Sequence, residues 1–268
     1  MIDQYTRHLL RRRRSPNTIR LRLFYLQKFA NWYGRDLLTA EHDDFDGYIF
    51  ANEDWSENTQ QTATASIRSF YNWAHREGLV ELNPARDLPA IKVHRKRPRM
   101  ASEPAILHAL ETESDTDRAM VLLGAECGLR VSEIAALHKD SRAGTWLHII
   151  GKGDHLRTVH LSPELAELLS LIEVTTMRWG YYFPGMKPRS HVHPSTIWRH
   201  ITAVLESNPH SLRRRAGTIV YRNSGHDIRL AQEFLGHRNS ATTEAYLDVA
   251  DEHLELAGNL TRIGGIAA

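Results

Sequence analysis

Apolar residues in the first ninety positions recur every three or four residues, the spacing of a helix face that points into a core. The clearest stripe follows Ser15-Pro16, where a proline suits the first turn of a helix, and it ends at Gly34. It consists of Ile19, Leu23, Leu26, Phe29, Ala30 and Tyr33. Similar stripes predict helices over residues 3–14, 40–52 and 57–77. The first has Tyr5, Leu9 and Leu10 at helical spacing, the second has Phe45, Tyr48 and Ile49 inward, and the third has Ile67, Phe70, Tyr71 and Ala74 on one side.

The second half of the chain combines helical periodicity with one pair of strands. Helices are predicted over residues 102–111, 118–127, 163–179 and 197–205. Alternation predicts strands over residues 145–150 and 157–161, joined by a hairpin turn at 151–154. The predicted fold class is therefore mainly α with a small β-sheet, in which an N-terminal four-helix domain precedes an α+β domain. Residues 89–100, PAIKVHRKRPRM, are predicted to link a domain of residues 1–88 to one of residues 101–268, because prolines bracket the segment.

Composition narrows the class of protein. A chain of 268 residues with 41% apolar and 25% charged residues is typical of a globular protein with one large or two modest domains. One cysteine, Cys127, excludes an intramolecular disulfide and a cysteine-based zinc site, which indicates a reducing, cytoplasmic compartment. No apolar run approaches the ~20 residues that cross a bilayer, so no membrane partner is expected.

Positive charge is concentrated in the first part of the chain. Residues 1–100 carry 17 Lys+Arg against 12 Asp+Glu, whereas the remainder carries 17 against 20. This asymmetry suggests a polyanionic partner. A four-arginine run ends the first predicted helix, and five further cations lie in the linker. Each run is either solvated or lies against a phosphate backbone.

The stretch of residues 210–246 carries side chains suited to chemistry on a phosphate. His210 and Arg213 are three residues apart, His237 lies in a Leu-Gly-His turn, and Tyr246 follows nine residues later. Arginine can bind two phosphate oxygens at once, which lysine cannot do. A phenol, with a pKa of about 10, needs a neighbouring base or a positive field before it can attack. His210 or His237 could supply that base.

Another arginine, Arg130, is predicted at the junction between a helix that Gly128 ends and a helix that Ser132 supports. Helix N-termini favour anions, so Arg130 lies at a natural phosphate site. Glu133 is either a carboxylate that keeps such a site in order or an ordinary first-turn helix charge. No metal is predicted, because the pair His191-x-His193 has no third ligand at a useful spacing.

These motifs resemble the signature of the tyrosine recombinases, the phage integrase family. The pattern H-x-L-R, then L-G-H, then a threonine-rich run into Y stands here at residues 210–213, 235–237 and 242–246. The pattern G-L-R-x-S-E stands at residues 128–133, and Lys152 matches the family's mobile hairpin lysine. Residues 70–85 resemble, more loosely, the end of the core-binding domain. The resemblance implies a SAM-like first domain and a tyrosine-recombinase catalytic domain.

The resemblance also implies a reaction without a metal or another cofactor. The catalytic residues would be Arg130, Lys152, His210, Arg213, His237 and Tyr246, with Glu133 in support. The tyrosine would attack a DNA phosphodiester and become joined to the 3′ phosphate, while a 5′ hydroxyl leaves. The arginines would stabilise the negative charge, and the lysine would protonate the leaving oxygen. His210 would take or orient the tyrosine proton, and His237 would hydrogen-bond the phosphate.

Double-stranded DNA and further copies of the chain are the expected partners. Four subunits would assemble on two duplexes in a bacterial or phage-infected cell, near the nucleoid, with a directionality factor as a further candidate. The expected DNA-binding residues are Arg11, Arg12, Arg13, Arg14, Lys92, Arg95, Lys96, Arg97, Arg99, Arg214 and Arg215, of which Arg214 and Arg215 could instead bind acidic side chains. Residues 253–268, an apolar tail, are expected either to dock on a neighbouring subunit or to fold back on their own domain.

The leading interpretation is a site-specific recombinase, either a phage integrase or a Xer-like resolvase. Only about ninety residues precede the linker, so a short type without an arm-binding domain is expected. One alternative is a type IB topoisomerase-like enzyme that nicks and closes DNA as a monomer. The other is a catalytically silent DNA-binding protein on the recombinase fold, which the complete set of motif residues disfavours.

Overall fold

The computed structural model of the chain describes residues 1–89, 91–94, 99–151 and 156–236. The predictions for Arg95, Lys96, Arg97, Lys152, His237, Tyr246 and the tail at 253–268 fall outside these ranges. The chain divides into two compact units, Met1–Lys96 and Arg97–Ala268. Among the described residues, no helix combines the length and the apolar composition that crossing a membrane requires.

The first unit contains the four predicted helices. They are α1 (Ile2–Arg11), α2 (Pro16–Tyr33), α3 (His42–Phe50) and α4 (Glu57–Arg76). Serine hydroxyls begin the two longest helices: Ser15 accepts a hydrogen bond from the backbone N–H of Thr18, and Ser56 accepts one from that of Thr59, both at 3.3 Å. Gly34 ends α2 in the left-handed conformation, with φ at 66°. The predicted helical domain is confirmed.

Aromatic side chains form the centre of the first unit. Phe29 of α2 contacts Phe45 and Tyr48 of α3, with ring centroids 5.2 Å apart in both pairs. Phe70 of α4 packs edge-on against Tyr5 of α1 at 5.3 Å. Such pairs add to the stabilisation that burial of the rings provides. They join α1, α2, α3 and α4 around one core.

Leu10 is one of the apolar residues of α1, but its side chain is 59% exposed. Leu9 is buried, and the next residue along a helix is turned by about 100° around the axis. Leu10 therefore points away from the core although it continues the apolar run in the sequence.

The second unit combines helices with a three-stranded antiparallel sheet, as the predicted α+β class requires. Its helices are α5 (Glu103–Thr112), α6 (Asp115–Ala125), α7 (Val131–Ala135), α8 (Pro163–Thr175), α9 (Pro194–Leu205), α10 (His210–Asn223) and α11 (Ile228–Leu235). Its strands are β1 (Arg142–Ala143), β2 (Trp146–Ile150) and β3 (Leu156–His160), in the order β1-β2-β3. The two predicted strands are confirmed to within one residue. Strand β1 was not predicted, because two residues cannot show an alternation.

Four helix boundaries differ from the prediction by three or four residues. Helix α1 ends three residues early, at Arg11, and α9 begins three residues early, at Pro194. Helix α6 begins three residues early, because the hydroxyl of Ser114 caps it. Helix α8 ends four residues early, before the chain reverses through Trp179 and Gly180, which both have positive φ angles. Periodicity could not locate either of the last two changes, because capping and chain reversal are set by single residues.

Helix α6 lies at the centre of the second unit. All residues from 119 to 125 are buried, and the helix contacts α5, α7, α8, α9 and α10. A helix that is apolar on every side is one enclosed by others. At Gly124 an added Cβ would lie 2.9 Å from the Cδ1 atom of Leu212. Glycine therefore allows α10 to pack directly against the helix that leads towards Arg130.

Gly128 turns the chain between α6 and α7. Its φ is 60°, a conformation that glycine adopts without a steric penalty. An added Cβ would lie 3.0 Å from a ring carbon of Phe234 and 3.1 Å from a methyl carbon of Leu235. Both the backbone conformation and the space around it therefore require glycine.

We expect Gly128→Ala to destabilise the protein more than Gly144→Ala. Gly144 also has a positive φ, 62°, but nothing lies within 4 Å of its added Cβ. Both substitutions incur a conformational cost of about 1–2 kcal/mol. Only Gly128→Ala adds an overlap in the core, for a further loss of roughly 1–3 kcal/mol. Urea unfolding measures both losses, and equal losses would mean that Phe234 and Leu235 move aside freely.

Candidate active site

Arg130 stands where the sequence predicts it, at the start of α7. Its backbone N–H donates to Oε2 of Glu133 at 2.9 Å, and its Nη1 donates to Oε1 at 2.8 Å. One carboxylate thus holds both the backbone and the guanidinium of the same arginine. The side chain of Arg130 remains 28% exposed, so its cation can be reached from solvent.

Glu133 is buried among positive charges. Its side chain is only 6% exposed, and among the described residues three arginines surround it. Besides Arg130 they are Arg157, whose Nη1 and Nη2 donate to Oε1 at 3.1 Å and Oε2 at 2.7 Å, and Arg213, whose Nη1 lies 4.0 Å from Oε2. Burial alone would raise the pKa of Glu133, but Arg157 and then Arg130 lower it to about 2. Glu133 is therefore ionised and is not an ordinary solvated first-turn charge.

Arg213 is almost fully enclosed, with 1% of its side chain exposed. Its Nη1 donates to the carbonyl oxygen of Gly128, and its Nη2 donates to that of Leu235. These contacts connect α10 to the turn before Arg130 and to the last residue of α11. A buried guanidinium is stable only when its charge and its donors are matched, and Glu133 together with the carbonyl groups contributes to that.

His210 begins α10 on the surface, and its backbone N–H donates to Oδ1 of Asn208 at 2.8 Å. Partial desolvation, followed by the positive charges of Arg213, Arg214 and Arg130, lowers the pKa of its imidazole. The ring is therefore neutral at neutral pH and can accept a proton. Arg130 and Arg213, which lie more than eighty positions apart in the sequence, thus both act on the imidazole of His210.

Arg157 was missed by the sequence interpretation. It lies on β3 opposite Ile149 of β2, in the register of the buried residues Leu147 and Val159, and its side chain is 4% exposed. The signal was present, because a charged residue at an inward position of an alternating strand needs a buried partner. No motif drew attention to it.

The arginines that follow Arg213 have partners inside the second unit. Nη2 of Arg215 donates to Oε2 of Glu103 at 2.9 Å, and its Nη1 donates to the carbonyl oxygen of Ala125 at 3.0 Å. Nη1 of Arg214 donates to the carbonyl oxygen of Arg99 at 3.0 Å. Arg215 thus contacts an acidic side chain, which was the stated alternative to DNA.

Two of the linker cations that were expected to bind DNA, Lys92 and Arg99, lie in the described ranges. Both side chains are exposed.

In the first unit, the end of α1 together with α2 and α4 lines a basic cleft with a volume of about 540 Å³. Its cationic and imidazole residues are His8, Arg12, Arg14, Arg22, Arg68, His75 and Arg76. Arg12 and Arg14 were expected to bind DNA, whereas Arg11 and Arg13 are exposed outside this lining. Partial desolvation, followed by the charges of Arg76 and Arg12, lowers the pKa of His8. Arg22, Arg68 and Arg76 were not among the expected DNA-binding residues, because they lie outside the arginine run and the linker and come together only in the fold.

His193 has a structural role in the described part of the second unit, where its Nδ1 accepts from the backbone N–H of Ser195 at 3.2 Å and caps α9. Within the described ranges, no three His, Cys, Asp or Glu side chains are grouped as a metal would require.

Family models match both units. Residues 99–253 match the phage integrase family, and residues 2–78 match the phage integrase N-terminal SAM-like domain. A tyrosine recombinase of Thermosipho africanus is 29% identical over 274 residues, covering 94% of this chain and 95% of that protein. The fold is similar to that of a lambda integrase dimer bound to a COC′ core site, with a TM-score of 0.74, 16% identity and coverage of 92% and 93%. It is also similar to a lambda integrase tetramer bound to a Holliday junction, with a TM-score of 0.73, 16% identity and coverage of 92% and 76%.

Because the α+β unit matches the phage integrase family and the helical unit matches its SAM-like domain, the class of protein is a DNA strand-transferring enzyme. The chain belongs to the phage integrase family and is a site-specific tyrosine recombinase. The two rival interpretations are not favoured.

We expect Glu133→Gln to lower the free energy of unfolding by about 3 kcal/mol at pH 7, because it leaves buried arginines without their counter-charge. The pKa of Glu133 in the folded protein, about 2, lies below its ordinary value of 4.5. Its stabilisation is therefore complete above pH 4.5 and declines as the pH falls towards 2. Urea unfolding at a series of pH values measures this.

The matched control for Glu133→Gln is Glu164→Gln, which removes a carboxylate that is 56% exposed and lies 3.7 Å from Arg118. Such a surface pair contributes at most about 1 kcal/mol. Equal losses in the two variants would show that the buried cluster does not depend on the charge of Glu133.

Proposed function

We propose that the chain cleaves and rejoins DNA at a specific site through a 3′-phosphotyrosyl intermediate, with Tyr246 as the nucleophile. One observation carries this proposal. Among the catalytic candidates in the described ranges, Arg130 and Arg213 meet at Glu133 although more than eighty residues separate them in the sequence, and the charges of both lower the pKa of His210. Such a convergence is what a phosphate-transfer site needs.

The charges of this cluster suit a phosphoryl transition state. Arg130, Arg157 and Arg213 oppose the single negative charge of Glu133, so the described part of the cluster keeps a net positive charge. Arg130 is the most exposed of these arginines and is the cation proposed to meet the non-bridging oxygens. Removing a preorganised donor of this kind typically costs about 10²–10³ in rate.

Two proton transfers and one phosphate contact are assigned to three residues. The neutral imidazole of His210 is proposed to take or orient the proton of Tyr246. Lys152 is proposed to protonate the leaving 5′ oxygen. His237 is proposed to hydrogen-bond the phosphate. Each of the two proton transfers contributes about 10²–10⁴-fold to the rate.

DNA is the proposed partner of both units, and the similar lambda integrase has been solved bound to a COC′ core site and to a Holliday junction. The domains are proposed as residues 1–88 and 101–268, joined by the basic linker 89–100. The cleft of the first unit is proposed to hold the phosphate backbone, together with the cations of the linker. Four copies are proposed to act on two duplexes with the tail at 253–268 docked on a neighbour, and a directionality factor remains a further candidate.

We expect Tyr246→Phe to abolish covalent complex formation while DNA binding survives, because only the nucleophilic oxygen is removed. The substrate is a nicked duplex that carries the recombination site from the DNA beside the coding sequence. A denaturing gel reports the covalent complex. The matched control is Tyr221→Phe on α10, where Tyr221 packs edge-on against His226 at 5.0 Å. Activity that disappears in Tyr221→Phe and persists in Tyr246→Phe would assign the nucleophile to Tyr221.

We expect Arg12→Gln and Arg76→Gln each to weaken binding to a duplex of any sequence. Each should also lower the slope of log Kd against log salt by about 1, since one phosphate contact is lost. Titration of a labelled duplex at several salt concentrations measures the slope. The control is Arg35→Gln, which removes an exposed arginine outside the cleft lining. Equal slopes in the three variants would contradict the proposed DNA contact.

A further inference from the structure

Arg157 occupies a position that the strand pattern reserves for an apolar residue. The outward residues of β3, Leu156, Thr158 and His160, are exposed, whereas Arg157 and Val159 point inward. Burial of a guanidinium costs several kcal/mol unless its charge is matched. A role confined to packing would be filled as well by an aliphatic side chain, so the contacts of Arg157 need a further explanation.

Those contacts are made with the carboxylate that holds Arg130. Oε1 of Glu133 accepts from Nη1 of both Arg130 and Arg157, and Oε2 accepts from the backbone N–H of Arg130 and from Nη2 of Arg157. Two parallel hydrogen bonds from a planar guanidinium determine the orientation of a carboxylate as well as its distance. Arg157 thereby determines how Glu133 presents its oxygens to Arg130.

Arg157 also lies against the end of α11. Gly236 ends that helix with φ at 63°, and an added Cβ there would lie 3.1 Å from Cδ of Arg157. The carbonyl oxygen of the preceding residue, Leu235, accepts a hydrogen bond from Nη2 of Arg213. Arg157 therefore contacts Glu133, the carboxylate beside Arg130. It also lies against Gly236, which follows the residue whose carbonyl oxygen accepts a hydrogen bond from Arg213.

We propose that Arg157 is a positioning residue of the strand-transfer site, which fixes the orientation and the charge of Glu133 and through it the guanidinium of Arg130. This inference rests on the proposed function. Arg157 is buried and acts through Glu133, so it does not touch the DNA. Its loss should slow the chemical step and leave DNA affinity unchanged.

The first test is Arg157→Met in the full-length chain, with the nicked recombination-site duplex at saturating concentration. We expect covalent complex formation to be about 10²-fold slower, as is typical when a catalytic group is misplaced by about 1 Å. The Kd for the same duplex should stay unchanged. The matched control is Arg142→Met on β1 of the same sheet, which breaks the 2.8 Å ion pair of Arg142 with Glu173 of α8. That control should lower stability and leave the rate of the folded protein unchanged.

A pH profile separates positioning from stabilisation. The charged groups that face Glu133 from the described elements are Arg130 before α7, Arg157 of β3 and Arg213 of α10. Without Arg157, burial raises the pKa of Glu133, and protonation releases Arg130. The rate of Arg157→Met relative to the wild type should therefore fall as the pH is lowered from 8 to 5. The imidazole of His210 titrates in both proteins and cancels in the ratio.

The double variant Arg157→Met/Glu133→Gln completes the test. We expect its rate to match that of Glu133→Gln within about threefold and to lack the additional pH dependence, since Arg157 acts through that carboxylate.

Arg157→Lys, which keeps the charge without the two parallel bonds, should be slow as well. It serves in place of the methionine variant if that variant does not fold. A wild-type rate in folded Arg157→Met or Arg157→Lys, or multiplicative losses in the double variant, would overturn the inference. A wild-type protein without any covalent complex would instead refute the proposed function.

Discussion

The site depends on one buried carboxylate placed between guanidinium groups. Like charges repel strongly where water is excluded, so Arg130, Arg157 and Arg213 could not approach one another without a negative charge among them. Glu133 supplies that charge, and its low pKa keeps it ionised over the whole physiological range. The described cluster contains three arginines and one carboxylate. Glu133 therefore neutralises only part of the positive charge, and the rest still attracts an anion. The same carboxylate therefore holds the arginines together and sets the net charge of the candidate site.

The fold brings these charges together from segments far apart in the sequence. Arg130 follows the turn after α6, Arg157 comes from β3, and Arg213 comes from α10. Helix α6 makes this possible, because it is buried on every side and leaves room at Gly124 for close packing with α10. The turn at Gly128 then directs the chain back towards Arg213. Small residues at these points matter as much for the site as its charged residues.

Much of this organisation could be predicted from the sequence. Periodicity predicted the helices of the first unit and the two longer strands, and motif spacing selected Arg130, Glu133, His210 and Arg213. Two kinds of feature could not be predicted. The basic cleft combines two arginines of the predicted run, Arg12 and Arg14, with arginines of other helices, and only the packing of α1, α2 and α4 brings them together. The pairing of Arg157 with Glu133 depends on strand register and burial, which a motif does not record.

The way Arg213 is held has a consequence for divergence within the family. Its guanidinium donates to the carbonyl oxygens of Gly128 and Leu235, which are main-chain atoms. Every amino acid carries such a carbonyl group, so these anchors persist when neighbouring side chains are replaced. What must be inherited is the path of the backbone, and a similar overall fold occurs in lambda integrase at 16% identity. Because Arg213 is held by main-chain atoms, the side chains around it can be substituted without removing the two hydrogen bonds that fix its guanidinium.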